Sequence, residues 1–201
     1  MESLQVKPLT ENDLEQVVRI HQNVLGYTFN SRLGLDHLSF LYRTMLQDDQ
    51  SYVGVASIDN QPVGVISGTL DMEKIKAFIL NSYKLRQWAN LIFRVLVKPS
   101  LIHELRKGNS IGRPVYFEGN LVQPILTAIA VDASCQGKGI GKYLVNDLES
   151  FFQRKHIEAY RLDTLIENSN ARKFYESLGF QQVAIRADSI VLVKRLSINK
   201  R

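Results

Sequence analysis

The amino-acid sequence predicts a mixed α/β fold in which strands and helices alternate along the chain, with a helical insertion at about 71–113. Three observations carry that expectation. Segments with apolar residues at helical spacing alternate with short runs rich in valine and isoleucine. An apolar stretch ending at Ile129-Ala130-Val131 passes into a glycine-rich turn that opens directly into a helix. The 201 residues, 45% hydrophobic and 22% charged, suit a single domain over 1–201 and exclude intrinsic disorder. The single cysteine, Cys135, excludes an intramolecular disulfide and the usual multi-cysteine zinc sites.

In chain order, Leu4 to Pro8 reads as a first strand. Thr10 is placed to cap a helix with Asp13 in its first turn, and Leu14, Val17, Val18, Ile20 and His21 follow at helical spacing. Leu35 to Leu46 repeats that period, with Leu38, Phe40, Leu41 and Met45 toward a core. Ser51–Ser57 and Pro62–Leu70 form a hairpin around Ile58-Asp59-Asn60-Gln61. Leu121 to Val131 reads as one long strand, Gly139 to Lys155 as a helix and Tyr160 to Ile166 as a strand. Asn168 to Leu178 is a helix stopped by Gly179, and Phe180–Ala187 and Ile190–Leu196 close the chain as strands.

Residues 71–113 interrupt the strand rhythm. Ile75, Phe78 and Ile79 lie at helical spacing, as do Leu85, Trp88, Ala89, Ile92, Val95 and Leu96 before Pro99; Leu101, Ile102 and Leu105 suggest a further turn. Eight basic residues and one acidic residue between Lys74 and Lys107 exceed the net +5 of the whole chain, so the remainder is close to neutral. This amphipathic basic segment reads as an insertion packed on the domain, and it also permits contact with a substrate, a partner or a membrane surface. No apolar run reaches the ~18 residues of a membrane span, no signal peptide is visible at Met1–Lys7, and the expectation is a cytoplasmic protein. No aromatic-interleaved basic motif argues for nucleic acid. His21, His37, His103 and His156 show no metal-ligand spacing, so no metal is expected and each reads as a surface or satisfied histidine.

The chemistry concentrates in Gln136-Gly137-Lys138-Gly139-Ile140-Gly141-Lys142. Glycines keep side chains away from the backbone, the free amides at the helix start converge, and the helix dipole adds partial positive charge. That arrangement suits a pyrophosphate, with Lys138 and Lys142 adding attraction. It is not a Walker loop, because Tyr143 follows Gly141-Lys142 where magnesium chemistry needs Ser or Thr. It is not a Rossmann fingerprint either, because Lys142 stands where the third glycine belongs.

Gln136-Gly137-Lys138-Gly139-Ile140-Gly141 resembles the acetyl-CoA pyrophosphate loop of the GNAT N-acetyltransferase superfamily. Asn168 through Ala171, Phe174-Tyr175-Glu176 and Gly179-Phe180 resemble that family's second signature. The resemblance covers about Leu126 to Val183, is weaker over 4–70 and is absent over 71–113. It implies a central twisted mixed sheet flanked by helices, whose two central strands, here 121–131 and 160–166, splay apart to admit acetyl-CoA as co-substrate. Ile129, Ala130 and Val131 match the backbone positions that contact the pantetheine arm. Gln136, Gly137, Lys138, Gly139, Ile140, Gly141 and Lys142 match the pyrophosphate cradle. Asn168 matches an asparagine that contacts the arm, and it reads equally as the helix N-cap.

The resemblance further implies direct attack of an amine on the thioester, with Tyr175 placed to protonate the departing thiolate. Asp163 and Glu118 are the candidate bases, each also readable as a structural carboxylate. The expected partners are acetyl-CoA and a primary amine acceptor, either a small molecule such as an amino sugar or a protein amine. The basic insertion favours an anionic one. The alternative function is a catalytically silent acyl-CoA-binding module, or a membrane- or partner-docking module using the insertion. Pairing of two copies through the final strands stays open.

Overall fold

A computed structural model describes residues 3–85, 88, 92, 93 and 113–197. Strands β1 (Leu4–Pro8), β2 (Ser51–Ile58) and β3 (Gln61–Thr69) are interleaved with helices α1 (Leu14–Val24), α2 (Phe29–Arg32), α3 (Leu35–Gln47) and α4 (Met72–Ser82). A small hairpin, β4 (Tyr116–Phe117) and β5 (Asn120–Leu121), precedes β6 (Ile125–Val131). Then follow α5 (Ile140–Arg154), β7 (Ala159–Leu165), α6 (Ser169–Ser177), β8 (Gln181–Ile185) and β9 (Ser189–Arg195). Seven strands form one mostly antiparallel sheet in the order β1-β2-β3-β6-β7-β9-β8, with β6 and β7 as its parallel pair.

The period-two alternation of the central strands feeds two cores. Ala56 and Ile66 face α5 and α6, joining Leu144, Leu148, Phe152, Tyr160, Leu162 and Phe180. Val53, Val55 and Val65 point the other way, onto Leu14, Val17, Leu38, Leu41 and Tyr42 of α1 and α3 and Ile75 of α4. Helices therefore cover both faces, which is why β2 and β3 read as near-continuous apolar runs.

Several boundaries differ from the sequence expectation, each for a local reason. Pro124 lacks an amide and breaks the predicted 121–131 strand; its carbonyl accepts from the Arg161 amide at 2.9 Å. Asn120–Leu121 instead pairs with Tyr116–Phe117 across Glu118 (φ 51°) and Gly119 (φ 82°). Thr10 does not cap α1: it donates to the Asp13 carboxylate at 2.7 Å, and Asp13 itself is the N-cap residue. The β2–β3 turn is a two-residue one, with Asp59 (φ 49°) and Asn60 (φ 65°) both left-handed, as a type I′ hairpin needs. β8 stops at Ile185 because Arg186 closes the turn into β9 by donating to the Ser189 carbonyl at 2.7 Å. Within the predicted insertion, α4 is capped by Asp71, and residues 85, 88, 92 and 93 are helical. The expectations at Ala89, Val95, Leu96, Pro99, Leu101, Ile102, Leu105 and His103 lie outside the described residues.

Gly68 of β3 lets α5 lie close against the sheet. A methyl group there would sit 2.8 Å from Leu148 Cδ1 and 3.0 Å from the Ile125 carbonyl oxygen. Gly68→Ala is expected to destabilise the fold by ~1–3 kcal/mol, the usual cost of overpacking. A lower urea midpoint with an unchanged denaturant slope is the measurement that checks it.

Candidate active site

The site begins with a parting of strands. β6 pairs with β3 along its length, from Thr69↔Ile125 to Gly64↔Val131. Toward β7 it has one ladder pair, Ile125↔Arg161. β7 in turn pairs fully with β9, from Ala159↔Arg195 to Leu165↔Ser189. The β7-facing backbone groups of Ile129, Ala130 and Val131 therefore line an opening between two strands that are each held from behind.

The loop after β6 closes one end of that opening. Asp132 caps a short turn through Ser134, and Gln136 donates to the Val131 carbonyl at 2.9 Å, folding the chain back before the glycines. Gly137 (φ 76°) and Gly139 (φ 78°) hold left-handed conformations, and a methyl group on either would meet no atom within 4 Å. Gly139 is the N-cap of α5 and offers no side-chain cap, so the helix start has an open concavity in front of it. Lys138 and Lys142 flank it and are exposed, while Ile140 is buried and anchors the helix in the core. Gly141 serves packing: a methyl there would lie 3.1 Å from the Phe174 ring of α6. Cys135 is buried in the core beside α5.

α6 supplies two more of the expected residues. Asn168 accepts from the Ala171 amide through Oδ1 at 3.1 Å, so it is the N-cap, with its Nδ2 group left over. Tyr175 is buried between Phe174 and Phe180, with ring centroids 5.2 and 5.4 Å away. Burial pushes its phenol well above the ordinary tyrosine range, and Tyr27, from the loop joining α1 to α2, adds to that shift.

The two candidate carboxylates are far from equivalent. Asp163 on β7 has both oxygens engaged, one by Arg161 Nη1 at 3.0 Å and the other by Arg186 Nη1 at 2.9 Å. Burial raises its carboxyl against the pull of those guanidiniums. Glu118 lies elsewhere. It pairs with Arg195 at 2.9 Å, and Arg195 is opposite Ala159 at the start of β7, whereas the gap opens toward Leu165 at its end. At ~3.3 Å per residue, the seven-residue strand puts those ends about 20 Å apart. The structure thus sets Ile129 to Val131 and the glycine turn along one opening, with Asp163 on the facing strand and Asn168 and Tyr175 on the helix that follows that strand, and it leaves Glu118 at the far end.

Sequence reasoning missed a buried polar cluster beneath α1 and α3. His21 is 3% exposed and its Nδ1 lies 2.6 Å from the Tyr42 hydroxyl. His37 bonds the Tyr83 hydroxyl through Nδ1 and Asn30 through Nε2 at 3.2 Å. His37, half-buried with a partner at each nitrogen, is a satisfied histidine as expected, whereas Nε2 of buried His21 meets no protein partner. Nothing in their spacing could have announced this, because Tyr42 and Tyr83 are brought in by tertiary packing. Arg161 and Asp163, two apart on a strand, could have been placed on one face; Arg186 could not. Among the described residues no cluster of His, Cys, Asp and Glu could hold a metal ion, and no helix is long and apolar enough to cross a membrane.

Comparison with known proteins places this arrangement. Residues 101–182 match the family model of the acetyltransferase (GNAT) domain. N-alpha-acetyltransferase 30 of Saccharomyces cerevisiae is 26% identical over 110 residues, covering 55% of this chain and 62% of that protein. The PaiA N-acetyltransferase of Thermoplasma acidophilum, solved in complex with coenzyme A, superposes with a TM-score of 0.64 at 14% identity, over 96% of this chain and 99% of that one. The ribosomal-protein-S18-alanine N-acetyltransferase of Escherichia coli gives 0.61 at 15% identity, over 97% and 95%. The chain spans from 27% to 62% of the length of the curated relatives it matches. The fold is that of the GNAT acetyltransferases, and the matched segment contains β6, the glycine turn, β7 and α6.

Two histidines, buried His21 and half-buried His37, contribute to the acid stability. Burial lowers both His21 and His37 from 6.5 to about 4, and at His21 the neighbouring His37 adds to the effect. Between those values the unfolded chain binds protons that the folded chain refuses, so stability is full above pH 6.5 and falls toward pH 4. The His21 shift corresponds to ~3 kcal/mol, a part of it owed to His37, so the two contributions overlap. Urea unfolding at pH 7 and pH 4.5 is expected to show that loss, and His21→Gln to reduce it by about half.

Proposed function

We propose that this GNAT-fold chain is an N-acetyltransferase that passes the acetyl group of acetyl-CoA directly to a primary amine. The observation that carries the reading is the open gap between β6 and β7, ending in a helix start with two left-handed glycines and no side-chain cap. A strand-like arm ending in a pyrophosphate fits both parts. Its amides would complete the vacant edge of β6, and its phosphates would fill the concavity that a Cβ at Gly137 or Gly139 would enter. Bound there, acetyl-CoA supplies an activated acetyl thioester.

The chain's own residues then divide the work. Ile129, Ala130 and Val131 offer backbone groups along the gap, and an amide among them can polarise the thioester oxygen. Gln136 keeps the loop folded by holding the Val131 carbonyl. Gly137 to Lys142 hold the phosphates, with Lys138 and Lys142 giving charge. Asn168 keeps its N-cap bond and has Nδ2 free for the arm. Tyr175, kept protonated by burial, delivers its proton to the departing sulfur. Asp163 fixes Arg161 and Arg186 at the far wall. In the basic segment, Lys74 and Lys76 spend their charge on Asp48 and Glu73, which weakens the case for an anionic acceptor. The names of the yeast and E. coli relatives put a peptide α-amine first in an acceptor panel.

Thermal unfolding with acetyl-CoA, CoA or NAD tests the binding half. At ~100 Kd the ligand adds about 2.7 kcal/mol, so a clear rise in Tm with acetyl-CoA and none with NAD is expected. Gly139→Val should abolish the shift. Thiol release with an Ala-initiated pentapeptide, spermidine and a nucleotide-linked amino sugar tests transfer. Tyr175→Phe should keep the thermal shift and lower turnover by roughly a hundredfold. A protein with no shift at millimolar acetyl-CoA would end this reading; a shift without thiol release would leave an acyl-CoA-binding module.

A further inference from the structure

The polar cluster beneath α1 and α3 reaches the gap. From His21 the contacts run to the Tyr42 hydroxyl at 2.6 Å, and Ser67 of β3 opposes, as a hydrogen-bonding side chain, the rise that burial gives that phenol. Ser67 Oγ is in turn 2.7 Å from Thr127 Oγ1 on β6. His21, Tyr42 and Ser67 are 3%, 1% and 2% exposed, while Thr127 is open to solvent. Thr127 is also where the β3–β6 register slips: Ser67 pairs with Ala128 and Gly68 with Leu126, leaving Thr127 as the extra residue of a bulge. Bulges re-aim side chains, and this one does so two residues beyond the last β6–β7 pair, Ile125↔Arg161, at the level of Asp163.

We propose that Thr127, Ser67, Tyr42 and His21 form a proton path that carries the acceptor amine's proton out of the cleft. This rests on the N-acetyltransferase reading. Every hydroxyl can point the same way: the amine N–H donates to Thr127, Thr127 to Ser67, Ser67 to Tyr42 and Tyr42 to bare Nδ1 of His21. As the amine nitrogen bonds to the acetyl carbon, its N–H becomes strongly acidic. One proton shift along the path leaves His21 as imidazolium. The carbon–sulfur bond breaks, the sulfur takes the Tyr175 proton, and an amide and a free thiol result. Exchange with solvent after product release restores both side chains, so no further reactant is needed.

Thr127 is the group that would touch the acceptor; the other three act through it. The titratable groups facing His21 are Tyr42 and His37 from α3, and behind His37 the Tyr83 that follows α4. With its second proton refused until about pH 4, His21 remains an acceptor at neutral pH and has the basicity of an ordinary carboxylate. Asp163, the alternative base on the other wall, already has each oxygen bonded to a guanidinium.

Two experiments test the path. Imidazole nitrogen NMR of the free protein at pH 7 should show neutral His21 with its proton on Nε2 and Nδ1 bare. A proton on Nδ1 would reverse the polarity of the path and overturn the proposal without reference to any acceptor. In turnover with the Ala-initiated pentapeptide, Thr127→Val and Tyr42→Phe should lower kcat about a hundredfold at pH 7, with KM for acetyl-CoA unchanged. The deficit should close toward pH 9.5, where hydroxide replaces the path, and Thr127→Ser should restore the wild-type profile. A pH-independent deficit, or none, would overturn the proposal. If the wild-type protein acetylates no amine of the panel, the N-acetyltransferase reading fails and the path's role fails with it; that result is separate because it appears before any substitution.

Discussion

A strand edge in the middle of a sheet is a standing cost, because backbone N–H and C=O groups left without partners lose what folding should return to them. Here β6 parts from β7 after Ile125↔Arg161 and runs on to Val131 with its β7 side open. The architecture around this edge serves to hold it apart. β3 grips β6 from one side and β9 grips β7 from the other, so neither strand can drift across and close the ladder. At the closed end the Pro124 carbonyl accepts from the Arg161 amide. α5 wedges beneath the sheet, close enough that a methyl group at Gly68 would sit 2.8 Å from Leu148, and Gly141 lets it pack tightly on Phe174 of α6. A ligand that supplies the missing strand removes the cost and joins the two half-sheets, so binding and stability are linked through the same backbone groups.

The walls of the gap are built from opposite chemistries. On the β7 side, Asp163 is locked between Arg161 and Arg186, and Arg186 also reaches the Arg113 carbonyl, so this wall is rigid and already charge-compensated. On the β6 side, neutral hydroxyls and imidazoles run back into the α1–α3 layer. A neutral hydrogen-bonded chain can move a proton with little rearrangement, whereas a carboxylate held by two guanidiniums must give up part of that hold to accept one. The asymmetry favours Thr127 over Asp163 as the place where an acceptor nitrogen sheds its proton.

What the sequence made legible follows range of interaction. The glycine turn and the Asn168–Phe180 helix are local: positive φ at Gly137 and Gly139, an N-cap, and a stop at Gly179 depend on residues within a few positions of each other. The two faces of β2 and β3 were legible too, as valine and isoleucine runs. The break at Pro124 was available and outweighed by the apolar run on both sides of it. The Glu118 hairpin went unseen because a two-residue strand pair has almost no periodicity to read. The buried clusters were beyond reach altogether. Tyr42 and Ser67 are joined to His21 and Thr127 only when α1, α3, β3 and β6 pack, and Arg186 finds Asp163 only through the β8–β9 turn.

The histidine layer then poses a question of purpose. A core that needed only volume under α1 would be served by leucine at positions 21 and 37, which titrate nowhere. Instead the chain carries a buried and a half-buried imidazole whose neutral forms lose stability on acidification, with one ring nitrogen of His21 unsatisfied. Buried polar groups of this kind are retained by structural need or by function. Structural need accounts for His37, which has a partner at each nitrogen. It does not account for His21, whose Nδ1 contact leads through two hydroxyls to an exposed bulge on the central strand, at the opening where the substrates would meet. A connection from core to cleft is what a proton path requires, and packing alone has no need of a continuous line of donors.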